Sequence, residues 1–159
     1  MKVVCIVGKS KTDRSGLMGG LIKELKSRDL RVGALKYHKH GDFEMDIEGK
    51  DTWKYAKAGA DTVAISSSVK FALIKSVEKE MGIDEICEKY FSDNDIVLAD
   101  GFTLSDKPRM IVADAEEDIE LFRRGCSVVA VVGKAGYGLD DTTGIADKIL
   151  EFSGRAGNY

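Results

Sequence analysis

Val3-Val4-Cys5-Ile6-Val7, followed by Gly8-Lys9-Ser10-Lys11-Thr12-Asp13-Arg14-Ser15, decides the fold. A continuous, β-branched apolar run closed by a glycine reads as a buried strand over residues 2–7. The polar stretch 8–15 reads as a loop. Leu17, Leu21 and Leu25 then recur at i, i+4 and i+8, which predicts an amphipathic helix from Gly16 to about Arg28. Asp29 and Gly33 mark a second strand over 31–37. Strand, loop, helix and strand in this order make a βαβ unit, the building block of a parallel sheet.

Outward from this unit the elements continue in the same style. Residues 52–58 read as a short helix closed by Gly59. Residues 61–66 and 71–75 alternate as two strands around Ser67-Ser68, too close together for a helical crossover, which predicts an antiparallel pair grafted on the sheet. Asp84 caps a helix to about Phe91, and strands follow over 95–99, 109–113 and 127–132. Asp140 to Thr143 offers N-cap residues for a last helix over 144–152. Gly19-Gly20 inside the first helix is read as a place of tight helix–sheet packing. The expected fold is α/β, three-layered and like a P-loop NTPase, mostly parallel with a small antiparallel extension. One domain is expected over 1–152, with a flexible tail over 153–159.

Composition narrows the functional classes. The chain has 159 residues, 43% hydrophobic and 32% charged, the balance of a soluble globular domain. No apolar run approaches the length of a membrane span, and the N-terminal apolar stretch is too short for a signal sequence. A net charge of −3 gives no reason to expect nucleic acid. Cys5, Cys87 and Cys126 lie far apart without a C-x-x-C pair, as expected of buried thiols in the cytoplasm.

The strand-first loop is a departure from the phosphate-binding pattern G-x-x-x-x-G-K-[ST], in which backbone amides wrap phosphates, the lysine meets the β/γ oxygens and the hydroxyl binds Mg²⁺. Gly8 and Ser15 fall at its first and last positions. Asp13 stands in place of the second glycine and Arg14 in place of the lysine. A carboxylate facing the β/γ phosphates costs about 1 kcal/mol per charge pair in water and about 4 kcal/mol at an effective dielectric of 20. Arg14 keeps the charge but offers a planar fork instead of a compact point charge. The expected anion cradle is Gly8, Lys9, Ser10, Lys11, Thr12 and Ser15, with Arg14 supplying charge. The companion strand Asp95-Ile96-Val97-Leu98-Ala99-Asp100-Gly101 ends in the acid that, with Ser15, is expected to hold Mg²⁺.

Other residues carry two readings each. His38 and His40, with Asp42, Glu44 and Asp46, lie in a solvated polar loop or, with Lys36, contact phosphate or pterin; no fixed four-ligand metal pattern is present. Gly49-Lys50-Asp51 is a turn with Asp51 capping the next helix, or Lys50 reaches a phosphate. Lys107 and Arg109 form an exposed charged turn or hold a pyrophosphate at the ligand crevice of an open sheet.

Taken together, the chain resembles the MobB family, the molybdopterin-guanine dinucleotide biosynthesis protein B family, over about residues 2–152. The resemblance rests on the opening strand and loop, on Lys36-Tyr37-His38-Lys39-His40-Gly41, and on Asp46-Ile47-Glu48-Gly49-Lys50-Asp51-Thr52 followed by Ala58-Gly59-Ala60. The acidic-Gly-Phe strand end Asp100-Gly101-Phe102 adds to it. It implies a GTP-binding fold, usually homodimeric, that assists a MobA-like guanylyltransferase attaching GMP to molybdopterin in molybdenum or tungsten cofactor biosynthesis. Three modes of action are expected to compete: an adapter that binds GTP or molybdopterin without turnover, a slow Mg²⁺-dependent GTPase, and a dimeric scaffold that binds no nucleotide.

Overall fold

The computed structural model describes residues 1–41 and 43–152; Asp42 and the expected tail 153–159 lie outside the described residues. The chain forms two compact units, the second being His38–Gly82 and the first the chain on either side of it.

The first unit holds a five-stranded parallel sheet of β1 (Lys2–Gly8), β2 (Val32–Lys36), β5 (Ile96–Asp100), β6 (Arg109–Val112) and β7 (Val128–Val132), in the order β2-β5-β1-β6-β7. Side-chain alternation divides the strands between two cores. Val4, Ile6, Leu98 and Met110 point to one face, where α1 (Lys11–Ser27) contributes Leu17, Leu21 and Leu25 and α5 (Thr142–Glu151) contributes Ile145, Ala146 and Ile149. Cys5, Val7, Val97 and Ile111 point to the other face, covered by Ile83 and Cys87 of α3 (Ile83–Tyr90) and Ile119 of α4 (Glu116–Arg123). The three layers expected from the sequence are present. At Gly20 a Cβ would lie 2.7 Å from Thr142 Cγ2, so this glycine serves the contact of α1 with α5 rather than with the sheet.

Three helices of the first unit differ from the sequence reading: α3 starts at Ile83, so that Asp84 lies in its first turn instead of capping it, and α1 and α4 depart further. The first helix begins at Lys11, not Gly16, because Ser10 is its N-cap: the Ser10 hydroxyl accepts from the Asp13 amide at 3.2 Å, and Asp13 places a negative charge in the first turn. The helix α4 lies between the strands expected over 109–113 and 127–132, where the sequence reading places no element. Its first turn carries Glu116, Glu117 and Asp118, and of its apolar residues only Ile119 is buried.

In the second unit, α2 (Asp51–Lys57) is followed by β3 (Thr62–Ser66) and β4 (Phe71–Lys75), which pair antiparallel as a separate two-stranded sheet rather than as an addition to the parallel one. Lys50, not Asp51, is the N-cap of α2. Ile65, Phe71, Leu73 and Ile74 are exposed.

At the opposite edge of the parallel sheet from the carboxyl ends, Asp95 accepts from the Arg31 amide (2.7 Å) and from Arg31 Nη2 (2.9 Å), joining the starts of β2 and β5. The Arg31 side chain and then its amide hold the Asp95 carboxyl down at about 2. A depressed carboxylate stabilises the fold above its unfolded value and loses that contribution as pH falls through the folded one. Asp95→Asn is therefore expected to lower stability at neutral pH, with the gap to the parent chain closing as pH falls from about 4 to about 2 in urea-unfolding series; a gap constant over that window contradicts the pairing.

Candidate functional site at the carboxyl edge of the sheet

The carboxyl ends of β2, β5 and β1 lie side by side, with Lys36 register-paired to Asp100 and Asp100 to Ile6. Strand ends of an open parallel sheet are where ligands meet an α/β fold. Gly8 closes β1 against Val112 so tightly that a Cβ there would collide with the Val112 carbonyl, and its φ of +151° is one that side chains rarely adopt.

Asp100 organises this edge. It is 6% exposed, and both of its oxygens are engaged: Arg14 Nε donates to Oδ1 at 2.9 Å and Lys36 Nζ to Oδ2 at 2.5 Å. Burial alone would push the carboxyl up. Hydrogen bonds from Lys36 and Arg14 more than reverse this and leave it below the ordinary carboxylate range. Arg14, in the first turns of α1, also donates through Nη1 to the Gly8 carbonyl and, at 3.4 Å, to the Ser10 carbonyl. The bend thus presents carbonyl oxygens inward, around a guanidinium.

The early start of α1 changes what the other motif residues do. Lys11, Thr12, Arg14 and Ser15 are helical, so the loop proper is reduced to Lys9 and Ser10. The amides of Asp13 and Arg14 are spent on the Ser10 hydroxyl and carbonyl. The Ser15 hydroxyl is exposed and donates back to the Lys11 carbonyl at 2.8 Å, while Asp100 is met by Arg14 and Lys36. Lys9 pairs with Asp118 of α4, whose hydrogen bond pushes the lysine's pKa up. A hydroxyl turned to its own helix and a carboxylate with two cations on it do not fit the donor set of Mg²⁺, which needs unencumbered oxygens in near-octahedral array. Among the described residues, no group of three or more His, Cys, Asp or Glu is placed to hold a metal ion.

Lys107 and Arg109 do not make a solvent-facing pair. Lys107 is bound by Asp84 at 2.7 Å. Arg109 is completely buried. Its Nη1 donates to the Phe122 carbonyl (2.7 Å) and its Nη2 to the Ser105 carbonyl (2.6 Å) and Cys126 Sγ (2.8 Å). It therefore ends α4 and ties down the β5–β6 connection, and the pyrophosphate reading fails because no part of it faces solvent. Both faces of β6 are covered, and Arg109 shares its face with Ile111 and Ala113 of the core under α3 and α4. Cys5 and Cys87 are buried, and burial pushes both thiols up; Cys126 is half-buried, and all three are unpaired.

His38, His40 and Lys50 belong to the second unit, whereas Arg14, Lys36 and Asp100 belong to the first. The imidazoles of His38 and His40 are exposed and meet edge-on at 6.0 Å, with Phe43 in the same relation to His38.

Residues 3–134 match the family model for molybdopterin guanine dinucleotide synthesis protein B, MobB. The chain belongs to the MobB family. Relatives in this family include the molybdopterin-guanine dinucleotide biosynthesis adapter protein of Haemophilus influenzae, 30% identical over 67% of this chain and 60% of that protein's length. The protein of the same description from Escherichia coli is 27% identical over 90% of this chain and 88% of its own. A crystal structure of molybdopterin-guanine biosynthesis protein B superposes with a TM-score of 0.77 at 33% identity, covering 93% of this chain and 96% of that one. The structure of Bacillus subtilis MobB shares the fold, with a TM-score of 0.78 at 22% identity over 98% of this chain and all of that one. Among the described residues, no helix of this MobB chain is long and apolar enough to cross a membrane.

Because the Phe122 and Ser105 carbonyls and, at 3.4 Å, the Thr103 carbonyl depend on the buried guanidinium, Arg109→Met is expected to destabilise the fold by about 3 kcal/mol. Urea unfolding of the variant measures this; an unchanged midpoint means that the carbonyls find other donors.

Proposed function

We propose that this chain is an adapter in molybdopterin-guanine dinucleotide biosynthesis that acts by binding alone. It engages a MobA-like guanylyltransferase and holds the GTP or molybdopterin which that enzyme handles, without hydrolysing the nucleotide. Membership of the MobB family supports the pathway, and the relatives named as adapters support the mode of action.

The observation that carries the binding-only reading is the double ion pair on Asp100. Hydrolysis in a P-loop site needs a lysine on the β/γ phosphates and a metal-bearing acid beside it. In this chain the side chain at the lysine position is turned onto that acid and onto the Gly8 carbonyl. Lys9, Lys11 and Lys36 are exposed at this edge, Lys9 shared with Asp118 and Lys36 with Asp100, and such ammonium groups suit an anionic ligand. The exposed Ile65, Phe71, Leu73 and Ile74 of the second unit favour a homodimer, since a two-stranded hairpin is marginal by itself and such apolar surface seeks a partner. Three unpaired cysteines suit the cytoplasm.

Calorimetric titration with GTP and Mg²⁺, run beside a phosphate-release assay, tests this reading. Saturable heat without phosphate release is the expected result. Turnover above the uncatalysed rate would make the chain a slow GTPase, and absence of heat at millimolar GTP would remove the nucleotide from this reading and favour the dimeric scaffold.

A further inference from the structure

We propose that Arg14 and Lys36 take the place of a divalent cation at the carboxyl edge of the sheet, so that this site receives its polyphosphate ligand without Mg²⁺. The inference rests on the nucleotide-holding part of the function proposed above and adds the ionic form in which the ligand enters.

The ground is a mismatch between the fold and its donors. A metal-dependent site of this architecture offers a hydroxyl from the start of the first helix and an acid with oxygens open to the metal. Ser15 uses its hydroxyl on the Lys11 carbonyl, and each oxygen of Asp100 carries a cationic nitrogen. A doubly charged ion approaching Asp100 would meet two positive charges within a few ångströms of the same carboxylate, in a pocket where that carboxylate is nearly out of water. A polyphosphate meets the opposite situation, because two cations against one carboxylate leave a surplus positive charge.

The two cations have different roles in this arrangement. Arg14 is fixed: its side chain is 12% exposed and is held by Asp100, Gly8 and Ser10 together. Lys36 is 63% exposed and has a single partner among the described contacts, so it can turn from Asp100 to a phosphate while Arg14 keeps the acid neutralised. A magnesium ion bridges phosphate to protein by neutralising both; here the guanidinium does so for the protein and the ammonium for the ligand.

The test uses the full chain and three probes. Equilibrium titration with GTP, and separately with inorganic pyrophosphate, is run in excess Mg²⁺ and in excess EDTA, and Mn²⁺ titration is followed by electron paramagnetic resonance. Affinities that agree within about twofold between Mg²⁺ and EDTA, and that fall about tenfold in Lys36→Met with unchanged circular dichroism, support the inference. Loss of about tenfold or more in EDTA overturns it while leaving the adapter reading in place, as does full affinity in Lys36→Met. Mn²⁺ bound by the parent chain and lost in Asp100→Asn overturns it without any nucleotide present. No binding of GTP or pyrophosphate in either buffer overturns both this inference and the nucleotide-holding role.

Discussion

A carboxylate sits nearly out of water at the carboxyl edge of the parallel sheet, and everything around it follows from the need to neutralise it. Isolated, a buried charge of this kind would be expelled or protonated. Asp100 is kept ionised because β2 delivers Lys36 from the neighbouring strand and α1 delivers Arg14 from above. Those two deliveries come from the topology. β2 and β5 must be neighbours in register, and the first helix must start early enough to bring residue 14 over the strand ends. The β1–α1 bend is short and carbonyl-lined for the same reason, since its Gly8 and Ser10 carbonyls complete the coordination of the guanidinium.

This arrangement explains how a chain can keep the architecture of a nucleotide-binding fold while departing from its sequence pattern. In the usual pattern, glycine permits a wide loop and lysine projects from the helix start toward phosphate. With Asp13 and Arg14 in those positions, the loop contracts into helix and the projecting cation turns inward. The match to the MobB family model nevertheless runs through this bend, from residue 3 to residue 134.

The strands were legible because continuous or alternating apolar runs leave few other solutions, and the three-layer packing followed from the βαβ order. The start of α1 is masked by the phosphate-loop template, which assigns residues 8–15 to a loop. The competing signal, Ser10 followed three residues later by Asp13, is an N-cap with an acidic first turn, and it won. The helix α4 was hidden since it buries only Ile119 among its apolar residues and is held at its end by Arg109, a residue outside the helix. The charged neighbours Lys107 and Asp106 suggest an exposed turn at Arg109, whereas its place as the first residue of β6 turns its side chain into the protein. Of the candidate site, Asp100, Arg14 and Lys36 were each visible singly. Their convergence on one carboxylate was not, because it depends on a strand pairing between residues 64 apart in the chain.

The contacts of Arg109 join two stretches far apart in the chain, which also meet where Cys126 Sγ lies 3.5 Å from the Ser105 carbonyl. Thr103 and Ser105 lie before β6, whereas Phe122 and Cys126 lie at and beyond the end of α4. One rigid, planar group gripping both makes their fluctuations a single cooperative event: neither can peel away while the other stays seated. Arg109 thereby anchors this part of the fold from within, whereas at the carboxyl edge the Lys36 side chain reaches into solvent.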